Sequence, residues 1–295
     1  TYIVQNGWWK LWMQHKTREN YFKAAKKLKD KFLQGDFPEE VKEQLKNMLN
    51  YFGQSPIIVR SSSLLEDGYG NAFAGKYDSY FCVNQGNPET RFENFLEVVQ
   101  KIYASTLSED ALKYRRQRGL EEKEEQMALL VQRVSGEYHH QYFFPLAAGV
   151  GFSYNSFTWK EELNPRAGMI QIAAGLGTRA VNRTDEDYTR IAALDDVLLR
   201  ASKDSEEERK YSQKKIDLLN LETNEFETRL ISKIMAENGL IKNKKLLGKK
   251  DFSTLKKIKE LGIEDREPWI INFDNLLSST KFSFLIQKIM EILEQ

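Results

Sequence analysis

The stretch over residues 57–83 constrains the fold most, because the backbone it calls for changes character twice in a short span. Ile57, Ile58 and Val59 are β-branched and favour a strand. Arg60, Ser61, Ser62 and Ser63 close that strand, and a loop carrying Glu66, Asp67, Gly68 and Gly70 follows. The chain returns over 76–83, where Tyr77, Ser79, Phe81 and Val83 share one face at the period of two expected of a strand. Strand, polar glycine-bearing loop and strand together offer one permanent cation, several hydroxyls, and backbone N–H groups that Gly70 and Gly75 leave open to close approach. An arginine presents a rigid fork of donors, which suits the anionic oxygens of a phosphate chain. The same residue types also fit an arginine that ends an ordinary strand before a solvated turn, since short phosphate-loop patterns arise often by chance.

Composition narrows the function classes. The 295 residues hold 44 Lys and Arg against 43 Asp and Glu, a net charge of +1, so nothing global points to nucleic acid or an anionic membrane surface. An apolar share of 41% is enough for one large domain or two lobes with a real core. Cys82 is the single cysteine, which leaves no disulfide framework and no cysteine-based zinc site and fits a reducing cytoplasm. His15, His139 and His140 are too few and too scattered for a histidine-rich metal centre. No apolar run approaches the roughly 20 residues that span a bilayer. Thr1 in place of a methionine, with no signal pattern, leads to the expectation of a piece of a longer protein.

Along the chain, residues 7–50 read as helical, with Trp8, Trp9 and Trp12 as an apolar cluster that marks core or a domain contact. Gly35-Asp36-Phe37-Pro38 breaks the helix, and Val41, Leu45, Met48 and Leu49 recur at helical spacing beyond it. Asn87-Pro88-Glu89 is a helix start, followed by the stripe Phe92, Phe95, Leu96, Val99, Ile102 and Tyr103. Ser108 caps a second helix whose last-turn Arg115, Arg116 and Arg118 complement the helix dipole, and 121–125 is a charged loop. Residues 127–134 form an apolar run of strand length, expected to be buried, and 136–145 a turn between strands. Further strands are expected over 147–154, 169–173, 216–221 and 269–273, and helices over 227–238 and from about Thr280. That last helix is expected to bury Phe282, Leu285, Ile286, Ile289 and Leu293. The charged 203–215 stretch and the lysine-rich 243–257 stretch read as solvated. Gly175-Leu176-Gly177-Thr178-Arg179-Ala180 partly fits a dinucleotide fingerprint, but 181–187 lacks the amphipathic helix that fingerprint requires, and the Rossmann reading is rejected.

The order of several blocks carries more information than any one of them. Val59-Arg60-Ser61-Ser62, Glu66-Asp67, Phe73-Ala74-Gly75 before Asp78-Ser79-Tyr80, 129–134 with Gln132, Ala148-Gly149-Val150-Gly151-Phe152-Ser153 and Gly175-Leu176-Gly177 follow in sequence. This succession resembles the ATP-binding domain of the phosphoenolpyruvate synthase and pyruvate phosphate dikinase family, specifically over 57–83, fairly over 126–177 and weakly elsewhere. The resemblance implies an α+β, ATP-grasp-like fold: a helical segment over 1–50, a first lobe over 51–135, and a second lobe over 146–295, with mixed or antiparallel sheets flanked by helices. It implies ATP and Mg2+ as cofactors. Arg60 would hold the outer phosphates, Gly75 would open its backbone to them, Ser79 would replace the family's threonine, and Gln132 would lie at a hinge with the neighbouring backbone at Val134 reading adenine.

The implied activity is phosphoryl transfer from ATP to a histidine on a swivelling domain of the parent protein. Three departures qualify it. The family's early Gly-Gly-Lys motif has no counterpart before Arg60, Thr178 stands where the family has glutamate, and the closing Asp-x-Glu and Gln-x-Arg-Pro strands are absent, as though the chain stops just short of them. No metal-ligating residue is therefore assigned in this chain. A nucleotide-sensing module without transfer, or a structural domain that kept the fold, remains the alternative.

Overall fold

The computed structural model describes the chain apart from residues 18–19, 64, 67–74, 124, 158, 182–186, 201–203, 238, 264–266 and 294–295. The described residues divide into two compact units, Thr1–Val134 and Ser135–Gln295. Both combine helices with antiparallel sheets, which is the mixed α+β class expected from the sequence.

The first unit opens with helices α1 (Tyr2–Gln5), α2 (Trp9–His15), α3 (Tyr21–Phe32) and α4 (Glu39–Phe52). A three-stranded sheet follows in the order β2-β1-β3, built from β1 (Ile57–Ser63), β2 (Ser79–Cys82) and β3 (Met127–Arg133). Between β2 and β3 run α5 (Pro88–Ser105) and α6 (Glu109–Gln117). Helix α5 starts where the sequence says it should, with Pro88 at the first position and the Asn87 side chain accepting the Thr90 N–H at 2.8 Å. Its stripe of Phe92, Phe95, Val99 and Ile102 is buried and packs with Ile57, Val59 and Cys82 on one face of the sheet. Burying a phenylalanine such as Phe95 is worth about 2–3 kcal/mol.

Strand β3 corrects one expectation. Its residues alternate between half-buried and exposed instead of being buried on both sides, as in an edge strand with one face toward the core and the other exposed. Within the tryptophan cluster, Trp8 and Trp12 stack on Phe32 at 5.7 and 6.3 Å, whereas Trp9, one residue round the helix, is 55% exposed and outside the core.

The second unit contains three sheets. One has the order β10-β9-β5-β4, from β4 (Glu137–His139), β5 (Tyr142–Phe144), β9 (Lys215–Asn220) and β10 (Glu225–Leu230). Another has the order β6-β7-β8, from β6 (Ala148–Phe152), β7 (Met169–Ala173) and β8 (Arg190–Ala193). The third pairs β11 (Gly248–Lys250) with β12 (Trp269–Ile271). Around them lie α7 (Thr178–Val181), α8 (Ser205–Lys210), α9 (Ile231–Ala236), α10 (Lys244–Leu247), α11 (Phe252–Glu260), α12 (Asp274–Ser279) and α13 (Phe282–Leu293). No helix among the described residues is long and apolar enough to cross a membrane.

Four expectations fail here for local reasons. Residues 136–145 are themselves a hairpin, turning at His140 with φ 53°, and Tyr142, Phe143 and Phe144 are buried. Glu227–Leu230 is strand and not helix: the Asn220 side chain accepts the Glu222 and Thr223 N–H groups, Asn224 takes φ 59°, and this turn sends β10 back along the whole of β9. The lysine-rich stretch is not wholly solvated, since Leu247, Gly248 and Asp251 are buried. Burial alone would raise the Asp251 carboxyl, but hydrogen bonds from Thr254, Ser253 and Arg209 hold it well below the ordinary carboxylate range. Helix α13 forms, yet Leu285 and Ile289 are 54% and 51% exposed, and only Phe282, Ile286 and Met290 lean on the core. Its apolar residues lie on more than one face, and one core can take only one of them. The Leu293 side chain lies outside the described set.

The buried His15 makes the first unit sensitive to pH. Its Nδ1–H donates to the Trp12 carbonyl at 2.5 Å, and its ring lies between Trp12 and Tyr21. Burial lowers its pKa from 6.5 to about 4, against the carbonyl bond and with help from Arg115 and Lys16. A depressed folded-state pKa contributes stability above pH 6.5 that is lost as pH falls toward 4. Between pH 7 and 4.5 the wild type should lose roughly 2–3 kcal/mol more than His15→Gln, read from urea midpoints. Parallel losses would show that His15 does not titrate with folding.

Candidate nucleotide-binding site

The open face of the first sheet is assembled by strand parity. Ile57 and Val59 point into the core, so Ile58 and Arg60 point outward. Arg60 pairs with Ser79 on β2 and with Leu130 on β3, and Ile58 lies between Phe81 and Gln132. Directly opposed residues of antiparallel strands bring their Cβ atoms within about 4.5–5.5 Å. Arg60, Ser79, Leu130 and Gln132 are all exposed, and the Arg60 guanidinium has no ion pair among the described residues. A free cation, a hydroxyl and an amide thus share one accessible face with Ile58, Phe81 and Leu130 as an apolar floor.

The other expected residues are placed as follows. Gly75 has φ 73° with open space where a Cβ would stand, so its backbone is approachable. Asp67, Gly68, Gly70, Phe73 and Ala74 lie outside the described residues. Of the three serines, Ser61 donates to Glu66 at 2.8 Å, the Ser63 N–H donates to the same carboxylate at 2.9 Å, and the Glu66 N–H donates to the Ser63 hydroxyl at 3.3 Å. Only Ser62 shares the outward parity of Arg60. The Val134 N–H is committed to the Pro56 carbonyl at 2.9 Å, which leaves its carbonyl for any ligand.

A second group near this face was not expected. Arg115, read from sequence as a last-turn arginine that complements the helix dipole, is buried and donates to Glu125 at 2.8 Å and to the Tyr77 hydroxyl at 2.6 Å. The Tyr77 hydroxyl donates in turn to Glu125. Burial, more than the adjacent carboxylate, drives the Tyr77 pKa far up. Residue type alone does not separate Arg115 from Arg116 or Arg118. The helical phase that turns it inward beside Ala111 and Leu112 was the available signal.

In the second unit Gly175 and Gly177 take φ 88° and 80°, and α7 is described over Thr178–Val181, where the rejected dinucleotide fingerprint would begin its helix. Residues 182–186 of that argument lie outside the described set. The Thr178 hydroxyl donates to Asp217 at 2.6 Å, and Arg179 bridges Asp187 at 2.5 Å and Asp217 at 3.2 Å. A cavity of about 620 Å³ in the same unit is lined by Trp159, Tyr188, Arg190, Arg200 and Glu208 among others. Its arginines are occupied. Arg200 pairs with Glu208 and Asp274, and Arg190 donates to the carbonyls of Ile191, Val197 and Leu199, with burial lowering its pKa to about 10. It offers no free phosphate donor comparable to Arg60.

A family model described as pyruvate phosphate dikinase, AMP/ATP-binding domain, matches residues 9–266. The chain belongs to this family. Its fold is therefore that of an ATP-grasp-like AMP/ATP-binding domain. Rifampicin phosphotransferase of Bacillus cereus is 25% identical over 204 residues, covering 65% of this chain and 21% of that protein. Rifampicin phosphotransferase of Bacillus subtilis is 26% identical over 161 residues, or 54% of the chain and 16% of that protein. A probable phosphoenolpyruvate synthase of Methanocaldococcus jannaschii is 28% identical over 167 residues, or 54% and 12%. The matched stretches of this chain span only 12–21% of the length of these curated relatives.

Within this domain the Gly175 turn has little room. A Cβ on Gly175 would strike the Asp217 carbonyl oxygen and the Ile216 side chain at a positive φ, whereas Gly119 has φ 63° with open space. Gly175→Ala should cost roughly 1–3 kcal/mol in urea unfolding and more than Gly119→Ala. Equal costs would mean that the turn yields freely around Asp217.

Proposed function

We propose that the open face of the β2-β1-β3 sheet binds the phosphate chain of ATP, with Arg60 as its principal cation. The observation that carries this reading is the cross-strand pairing of an exposed Arg60, without an ion pair among the described residues, with Ser79, on the same face as Gln132. The guanidinium fork would bond the outer phosphate oxygens and stabilise charge that builds during transfer. The Ser79 hydroxyl and the Gly75 amide would bond the same chain from β2 and the turn before it. Gln132 and the Val134 carbonyl would face the adenine end, where the carbonyl can accept from an exocyclic amine. Phosphoryl transfer asks a protein mainly for positioning and charge stabilisation, and this set supplies both.

Among the described residues no group of three His, Cys, Asp or Glu side chains is gathered to hold a metal ion. Mg2+ would travel with the ATP, bound through its phosphate oxygens and one or two carboxylates. The reading continues to a histidine on a separate domain of the parent protein as the acceptor, within a cytoplasmic phosphotransferase related to phosphoenolpyruvate synthase. A second reading, nucleotide sensing without transfer, is favoured by Thr178, whose hydroxyl is already committed to Asp217 where the family places a glutamate. Binding followed by no phosphohistidine on added swivelling domain would select it.

The test uses thermal shift with Mg-ATP up to millimolar concentration. Arg60→Ala should leave the melting temperature of the free chain nearly unchanged, because surface substitutions usually stay within about 0.5 kcal/mol. Its affinity for ATP should fall by about 1.5–3 kcal/mol, the range for hydrogen bonds to charged groups. Equal ATP-induced shifts in wild type and variant would remove Arg60 from the site.

A further inference from the structure

The segment 66–76, between β1 and β2, has its two flanks tied to the same place. Leu65, just before it, packs in a small cluster formed by Tyr77 and Ala111, together with Tyr114 and Met127. Tyr77, just after it, is 5% exposed and inserts its hydroxyl between Arg115 and Glu125, whose side chains are only 4% and 2% exposed. The Arg115 guanidinium also lies 5.7 Å from the Tyr77 ring centroid. One residue on, the Asp78 N–H donates to the Ser105 hydroxyl at 3.2 Å, and that hydroxyl donates to the Ile102 carbonyl at 2.7 Å. Helices α5 and α6 thus hold the chain from Tyr77 to Asp78 by both side chain and backbone, between Gly75 on one side and Ser79 on the other.

A buried ion pair is a poor explanation for stability, because the cost of desolvating both charges offsets most of their attraction, and apolar replacements of similar volume often do as well. What the pair supplies is direction. Arg115 offers donors in a fixed plane, Glu125 accepts from both Arg115 and Tyr77, and together they leave the Tyr77 ring one place to go. Glu125 is two residues ahead of β3, the strand that carries Leu130 and Gln132 beside Arg60. The cluster therefore links the turn at Gly75, the start of β2 and the start of β3, which are three of the elements that border the open face.

We propose that Tyr77, Arg115 and Glu125 are positioning residues for the phosphate chain: they hold the backbone between Gly75 and Ser79 at a fixed distance from Arg60, so that amide, hydroxyl and guanidinium meet one triphosphate together. This rests on the nucleotide reading above. None of the three touches the ligand. Their loss spreads the donors apart and weakens contacts to phosphates while leaving contacts to the nucleoside alone.

The experiment uses the 295-residue chain with Tyr77→Phe, which removes one hydroxyl, and with the double substitution Arg115→Met/Glu125→Leu, which replaces both charges by apolar side chains and guards against misfolding of a half-broken pair. Amide hydrogen exchange over 75–82 is followed without ligand, and binding of Mg-ATP and of adenosine is measured separately. Both variants are expected to fold, to exchange at least 10-fold faster over 75–79, and to lose at least 5-fold in ATP affinity with adenosine affinity unchanged. Unchanged exchange, or faster exchange with an unchanged ratio of ATP to adenosine affinity, overturns the proposal and leaves a structural cluster. A wild type that binds neither ligand overturns it through the nucleotide reading, an outcome told apart because the exchange difference would persist.

Discussion

Strand parity on β1 governs most of what this chain can do. Ile57 and Val59 must face the α5 stripe to close the core of the first unit, and a period of two then forces Ile58 and Arg60 to the other side. A slip by one residue would bury Arg60 against Phe95 and expose Ile57, at a cost of several kcal/mol for an unpaired buried charge. The same rule acts on the neighbours through register, setting Ser79 and Gln132 on the face that Arg60 occupies. The site is thus a by-product of core formation: helices cover one face of a narrow sheet, and whatever polar residues alternate with the core residues are presented on the other. The family to which the chain belongs is an AMP/ATP-binding domain.

Elements whose cause is local were legible in the sequence. Asn87-Pro88-Glu89 starts α5 by capping, proline preference and dipole, all of which act within one turn. Strand β7 was expected over its observed residues because its apolar run is short, dense and bounded by glycines. Arg60 and Ser79 were singled out from residue order, and their pairing needed only the hairpin. Gln132 reached the same face because β3 pairs antiparallel with β1 over its full length.

Elements whose cause is distant were not legible. Arg115 and Glu125 look like ordinary surface charges until the fold brings Tyr77 between them from 38 residues away. Glu227–Leu230 carries a charge pattern that suits a helix, and only the long β9 partner and the Asn220 turn draw it into a strand. Helix α13 was expected to bury five apolar residues, but burial is decided by how many faces the core can accept and not by how many the helix offers. Asp217 illustrates the same limit. It reads as one acid within a leucine-rich run, yet it accepts from Thr178, Arg179 and Thr228 and fixes the Gly175 turn.

The central claim is that ATP lies on the exposed side of the β2-β1-β3 sheet and is held there by Arg60. Amide NMR of the 295-residue chain titrated with Mg-ATP, alongside adenosine, tests it most directly. The account predicts the largest ATP-specific shifts at Arg60, Gly75 and Ser79, with shifts common to both ligands near Gln132 and Val134. ATP-specific shifts confined to the cavity around Trp159 and Arg190, with the sheet face unperturbed, would contradict it.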